Sequence, residues 1–156
     1  MKRSCRKPAS RRDAREAADA APHGDGRFVI LWHELPTASA RPSHFDLMFE
    51  QGAGLRTWAV ERLPAADGPA VSAVPLPPHR LAYLAYEGPV SQNRGHVSRI
   101  AAGRYQAVAS AAEQQCFRLL ESEWDGVFRF QFLDEEAWSL SWESLRKRGG
   151  DEREAS

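Results

Sequence analysis

Two short stretches, Phe28-Val-Ile-Leu-Trp-His33 and His44-Phe-Asp-Leu-Met-Phe-Glu50, restrict the fold more than any other part of the chain. The first is almost wholly apolar, as expected of a strand buried on both faces. The second alternates. Strand side chains repeat every second residue, so Phe45, Leu47 and Phe49 fall on one face and His44, Asp46, Met48 and Glu50 on the other. The aromatic face suits a core. The opposite face then carries an imidazole and a carboxylate about 7 Å apart along one strand. That arrangement suits two ligands of one divalent metal, and His33, ending the apolar run, is a candidate third.

The rest of the chain reads as short strands with little helix. Residues 35–43 form a loop through Pro36 and Pro42, and Gln51-Gly-Ala-Gly54 is a hairpin turn into a third strand over residues 55–60. Residues 62–78 contain Pro64, Pro69, Pro75, Pro77 and Pro78, a pattern expected to exclude a central strand or a long helix. A Gly88-Pro89 break and a polar loop at residues 91–95 follow. Further strands are expected near residues 96–101, 105–109, 115–121, 127–133 and 138–142, with Gly103, Trp124-Asp-Gly126 and Asp134-Glu-Glu136 between them. Phe128, Phe130 and Phe132 alternate with Arg129 and Gln131, as in a half-buried strand. Regularly spaced short strands mean an all-β sandwich or barrel. Trp32, Trp58, Trp138 and Trp142 are core candidates, because their neighbours alternate.

The expected organisation is a basic, disordered tail over residues 1–26, one β domain over residues 27–145 and a charged, disordered tail over residues 146–156. The first tail carries Lys2, Arg3, Arg6, Lys7, Arg11, Arg12 and Arg15 without a sustained apolar period. It is read as a solubilising leader in preference to a phosphate-binding arm. Total charge is balanced, with 21 basic and 21 acidic residues. Residues 27–145 contain no lysine, and their acidic residues outnumber their arginines. A core built to grip long nucleic acid non-specifically is therefore not indicated, although a local arginine pocket is compatible. Cys5 and Cys116 lie in unlike settings and do not make a disulfide framework, so a reducing cytosol is expected. No run has the apolar length of a membrane span, and the basic start has no apolar segment behind it to make a secretory signal.

Two imidazoles and one carboxylate leave coordination positions open for water or substrate. Taken alone, these residues fit two enzymes. One is a hydrolase in which Mn²⁺ or Zn²⁺ polarises a phosphoryl oxygen. The other is a non-haem iron oxygenase using His44, Asp46 and a later histidine such as His96. His33, taken singly, also reads as a satisfied core histidine.

Phe28-Val-x-x-x-His33, His44-Phe-Asp46 with Glu50, Leu55-Arg-Thr-Trp58-Ala-Val60, His79-x-Leu-x-Tyr83 and Tyr86-Glu-Gly88 together resemble the 3′-phosphoesterase domain of bacterial DNA ligase D. The small stand-alone proteins of that family are the nearest match, over residues 27–142. The resemblance implies a compact β-barrel with its site in a concave face. It implies Mn²⁺-dependent removal of a 3′-ribonucleotide or 3′-phosphate from DNA or RNA-DNA primer-template ends, in non-homologous end joining. It also implies a bacterial, nucleoid-associated protein working beside DNA ligase and other end-joining proteins, without a membrane; a monomer is expected. Position by position, His33, His44 and Asp46 resemble the metal ligands, His79 the histidine that touches the phosphate and Tyr83 the tyrosine beside it. In a regular strand His79 and Tyr83 would share a face. Tyr86 is read as a plain barrel aromatic, and His96 is left outside the site.

Two positions depart from the family pattern. Met48 stands where the family has an arginine, and Leu31 where it has a glutamine. A thioether cannot clamp a phosphate through paired, charge-assisted hydrogen bonds as a guanidinium does. Arg41, Arg94 and Arg99 are candidates to replace that cation from a loop. The alternative to an active enzyme is a catalytically weakened relative that binds DNA ends or repair partners without turnover.

Overall fold

The computed structural model describes residues 25–120 and 123–145. Both terminal segments expected to be disordered, apart from residues 25 and 26, lie outside the described residues, as does Cys5. Among the described residues, nine strands form one antiparallel sheet: β1 Asp25–Glu34, β2 His44–Gln51, β3 Gly54–Val60, β4 Val71–His79, β5 Gly88–Pro89, β6 His96–Ala111, β7 Gln114–Leu120, β8 Gly126–Asp134 and β9 Ala137–Ser144. Their order is β1-β2-β3-β4-β9-β8-β7-β6-β5, and a further β1–β6 pairing closes eight of them into a barrel. β5 is a short addition on the flank of β6. Closure gives each of those eight strands a partner on both sides over at least part of its length. No helix among the described residues is long and apolar enough to cross a membrane.

The alternation in β2 sets the inside and the outside. Phe45, Leu47 and Phe49 point inward with Phe28 and Ile30 of β1; Trp32 is half-buried, with its ring 4.7 Å from that of Phe45. Trp58, Phe117, Phe128, Phe130, Trp138 and Leu140 complete the interior. The core is largely aromatic rings, most of them packed edge to face and a few stacked. Phe49 lies 4.1 Å from Phe117 and nearly parallel to it, and Trp58 lies 3.9 Å from Phe130.

β1 and β2 are also buried on their outer side. Val29, Leu31, Met48, Leu55 and Val97 make a second apolar cluster there, beneath Tyr83, Leu84 and Val90. The cover is the excursion between β4 and β6, which includes a 3₁₀ turn at Leu81–Leu84. This explains the unbroken apolar run in β1, which faces a core on each side.

Two expectations are corrected. Val71–His79 is a strand inside the barrel wall despite Pro75, Pro77 and Pro78. It pairs with β9 only at Val71, Ser72 and Ala73, and with β3 from Val74 onward. The prolines fall beyond Ala73, where β9 has parted from β4, so one flank has no ladder for them to interrupt. Gly103 does not break the chain either. It sits opposite Phe28 within the 16-residue β6, whose first part pairs with β1 and whose last part pairs with β7. A strand shared between two neighbours in this way is what closes the cylinder.

Candidate metal centre

The site grows from the register of β1 on β2. His33 is paired with His44, Leu31 with Asp46 and Val29 with Met48. All six side chains lie on the outer face, so two histidines sit side by side at the open end of the pair. Asp46 is one step below them, and Leu31, Val29 and Met48 make an apolar floor. The imidazole rings of His33 and His44 are 5.1 Å apart. One ligand atom from each of His33, His44 and Asp46 lies within 4.8 Å of the others, and the group could hold a metal ion.

Hydrogen bonds to main-chain carbonyls fix both rings. His44 Nδ1–H donates to the Pro42 carbonyl at 3.0 Å, and His33 Nε2–H donates to the Arg94 carbonyl at 2.7 Å. A carbonyl can only accept, so the proton of each neutral ring is committed there and the other nitrogen presents a lone pair. Those lone pairs face Asp46. His44 Nε2 is 3.1 Å from Oδ1, and His33 Nδ1 is 3.4 Å from Oδ2. Lone pair against carboxylate is repulsive unless a cation stands between them, either a proton on the ring or a metal shared by all three.

Burial sharpens this demand. Asp46 is only 2% exposed, and its Oδ1 has no hydrogen-bond partner. Burial pushes the Asp46 carboxyl upward, but the two imidazoles together pull it below the usual carboxylate range. The hydrogen bond to Asp46 holds His33 above the usual imidazole range, against the opposing effect of burial. A buried anion faced by two oriented imidazole nitrogens, each ring held from behind by a carbonyl, is an arrangement that could hold a metal ion.

The site opens into a cleft of about 490 Å³ that is also lined by Met48, His79, Tyr83, Arg41, Arg80 and Arg94. All five residues singled out from the sequence therefore face one cavity. His79 and Tyr83 meet differently than a strand would allow. His79 ends β4, and the chain then turns through the 3₁₀ segment, bringing the Tyr83 ring edge-on to His79 at 5.7 Å. His79 Nδ1–H donates to the Pro77 carbonyl at 3.0 Å, leaving Nε2 available.

Of the three arginines expected as candidate cations from loops, Arg41 and Arg94 line the cleft. Arg94 is engaged, donating from Nε and Nη2 to the carbonyl and hydroxyl of Ser91. Arg99 does not line the cleft; its backbone N–H donates to Glu87. Arg80 does line it and was missed from the sequence, because nothing local marks an arginine after a Pro-Pro-His as facing inward. A signal for the oriented histidines was present. Pro-x-His occurs at both Pro42-x-His44 and Pro77-x-His79, and in each the imidazole bonds the carbonyl two residues back.

No family model matches the chain, and no curated protein matches it.

Proposed function

We propose that the protein is a divalent-metal phosphoesterase that trims 3′ ends of DNA, removing a 3′-phosphate or a terminal ribonucleotide, with Mn²⁺ as its metal. One observation carries this reading: the lone-pair nitrogens of His33 and His44 converge on buried Asp46 inside a cleft that also holds His79, Tyr83, Arg41 and Arg80. A bound divalent ion supplies positive charge to a non-bridging phosphoryl oxygen and lowers the pKa of a bound water. The chain contributes the rest. His79 Nε2, with its ring orientation held by Pro77, donates to the phosphoryl or leaving oxygen when protonated. Arg41 and Arg80 approach from two different loops, and neither has a carboxylate partner among the described residues. They offer the anion attraction that Met48 cannot. Tyr83 adds a hydroxyl beside His79.

The apolar floor favours a second reading. Leu31 and Met48 put hydrocarbon directly beneath Asp46, where the resembling family has polar side chains. A protein so altered would bind DNA ends, or ligase and other end-joining partners, without turnover. The two readings separate in one assay on a primer-template ending in a 3′-phosphate or a single ribonucleotide. Mn²⁺-dependent release of phosphate or of the ribonucleotide, lost in His44→Ala, supports the enzyme. Mn²⁺-dependent binding without release supports the end-binding protein. Neither binding nor release removes both.

A further inference from the structure

Beyond Tyr83 the metal cleft continues into a second groove of about 270 Å³, lined by Arg80, Tyr83, Tyr86, Pro89 and Val90. Arg80, Tyr83 and Val90 belong to both cavities and form the ridge between them. Tyr86 is not a barrel aromatic. It lies in the excursion between β4 and β6, and it is 37% exposed. Despite that exposure it is held in place. Its hydroxyl donates to the Pro89 carbonyl, and its ring meets Tyr83 edge-on at 5.9 Å and 87°. Gly88, at φ +138°, leaves the space that the hydroxyl occupies; a Cβ there would approach it to 3.0 Å. The carboxylate of this segment, Glu87, is bound to the Arg99 backbone N–H and does not line the groove.

We infer that this second groove seats the base of the 3′-terminal nucleotide, with Tyr86 as its stacking platform and Arg80 as the cation between base and phosphate. The inference rests on the phosphoesterase reading and adds a recognition element to it. A pre-ordered, partly exposed aromatic ring loses little freedom when a base stacks on it, and every base offers a π-face. Tyr83 is the ring neighbour of both His79, at 5.7 Å, and Tyr86, at 5.9 Å, so a base on Tyr86 would be separated from a phosphate at His79 by a single ring. A groove free of lining carboxylates, with a guanidinium at its mouth, also suits a polyanion. Recognition of this kind is independent of sequence, since no base-edge donor or acceptor is needed.

The test compares three probes on the Mn²⁺-loaded protein: inorganic phosphate, a 3′-phosphorylated single-stranded oligonucleotide, and the same oligonucleotide with its 3′-terminal base missing. Wild type should bind the intact oligonucleotide about five- to 150-fold more tightly than the abasic one, the range for one stacked base. Tyr86→Leu should lose that preference while keeping its affinity for inorganic phosphate and Mn²⁺, and Tyr86→Trp should retain it. Equal wild-type affinity for intact and abasic oligonucleotides would overturn the inference without reference to any variant. So would a preference that survives Tyr86→Leu. Binding with the full preference but no hydrolysis would leave the base subsite standing and remove only the catalytic reading.

Discussion

The two faces of the β1–β2 pair are built from alternate residues of the same strands, yet they are stabilised by opposite means. Inward, Phe28, Ile30, Leu47 and Phe49 sit among closely packed aromatic rings and need no polar partner. Outward, the same strands present His33, His44 and Asp46, whose burial costs free energy until each polar atom is satisfied. The carbonyls of Pro42 and Arg94 satisfy one nitrogen of each ring. What remains, two lone pairs and a carboxylate, is satisfied by a cation. The inner face is therefore complete within the chain, whereas the outer face is complete only with a proton or a metal. This contrast separates stability from ligand binding along one stretch of backbone.

The strongest way to break the contrast is from within. Phe49→Ala removes a ring in contact with Phe28, Trp58, Tyr105, Phe117 and Phe130. It should cost about 3–5 kcal/mol of unfolding free energy, as read by denaturant titration of the metal-free protein. A loss below about 1 kcal/mol would mean that the interior is not close-packed around this residue.

On the outer face, His44→Ala should lower Mn²⁺ affinity by more than about a hundredfold, since even outer-shell partners of metal ligands contribute ten- to a hundredfold. Isothermal titration against wild type measures this. Equal affinities would show that the three side chains do not form the metal site.

Protons and metal compete for the same atoms, which makes pH the next probe. The depressed Asp46 contributes stability above its ordinary range, lost as pH falls through its folded value. The raised His33 contributes stability that is complete below the ordinary imidazole value, lost as pH rises through its raised value. In the metal-free protein the pair thus stabilises most between those limits, and thermal melts of wild type against His33→Ala should differ most there. Mn²⁺ must displace the His33 proton, so its affinity should rise by up to about tenfold per pH unit and level off above the raised His33 value. A pH-independent Mn²⁺ affinity across that range would contradict the proton-or-metal alternative.

The smallest effect belongs to the floor. Met48→Leu keeps the volume of a fully buried side chain in the cluster with Val29, Leu31 and Val97, so it should change stability by less than about 1.5 kcal/mol. It should leave Mn²⁺ affinity unchanged in the same titration. A large loss of metal affinity would mean that the Met48 sulfur takes part in the site.

Much of this was readable from local pattern. A period of two in residues 44–50 placed Phe45, Leu47 and Phe49 in the core and His44 and Asp46 together on the other side, because strand geometry admits no other arrangement. The apolar run in residues 28–33 announced a strand buried on both faces, and the regular strand spacing announced an all-β sandwich or barrel, of which the structure is the barrel. The sequence could not announce that Pro75, Pro77 and Pro78 would sit in a strand. Their tolerance depends on where β9 leaves β4, which is a property of the whole sheet. Nor could it join Gly103 to its neighbours, since the 16-residue β6 exists only because two other strands flank it. Local spacing put Tyr83 on the same side as His79 by the wrong route, a strand in place of a 3₁₀ turn. The deepest gap concerns His33. Its carbonyl partner, Arg94, is 61 residues away, and that hydrogen bond orients the ring toward Asp46. Sequence periodicity determines which side of a strand a residue occupies, because that follows from backbone geometry alone. Which nitrogen faces the site, which arginines reach it and whether Tyr86 is core or surface depend on segments that meet only after the barrel closes, so the tertiary structure alone decides them.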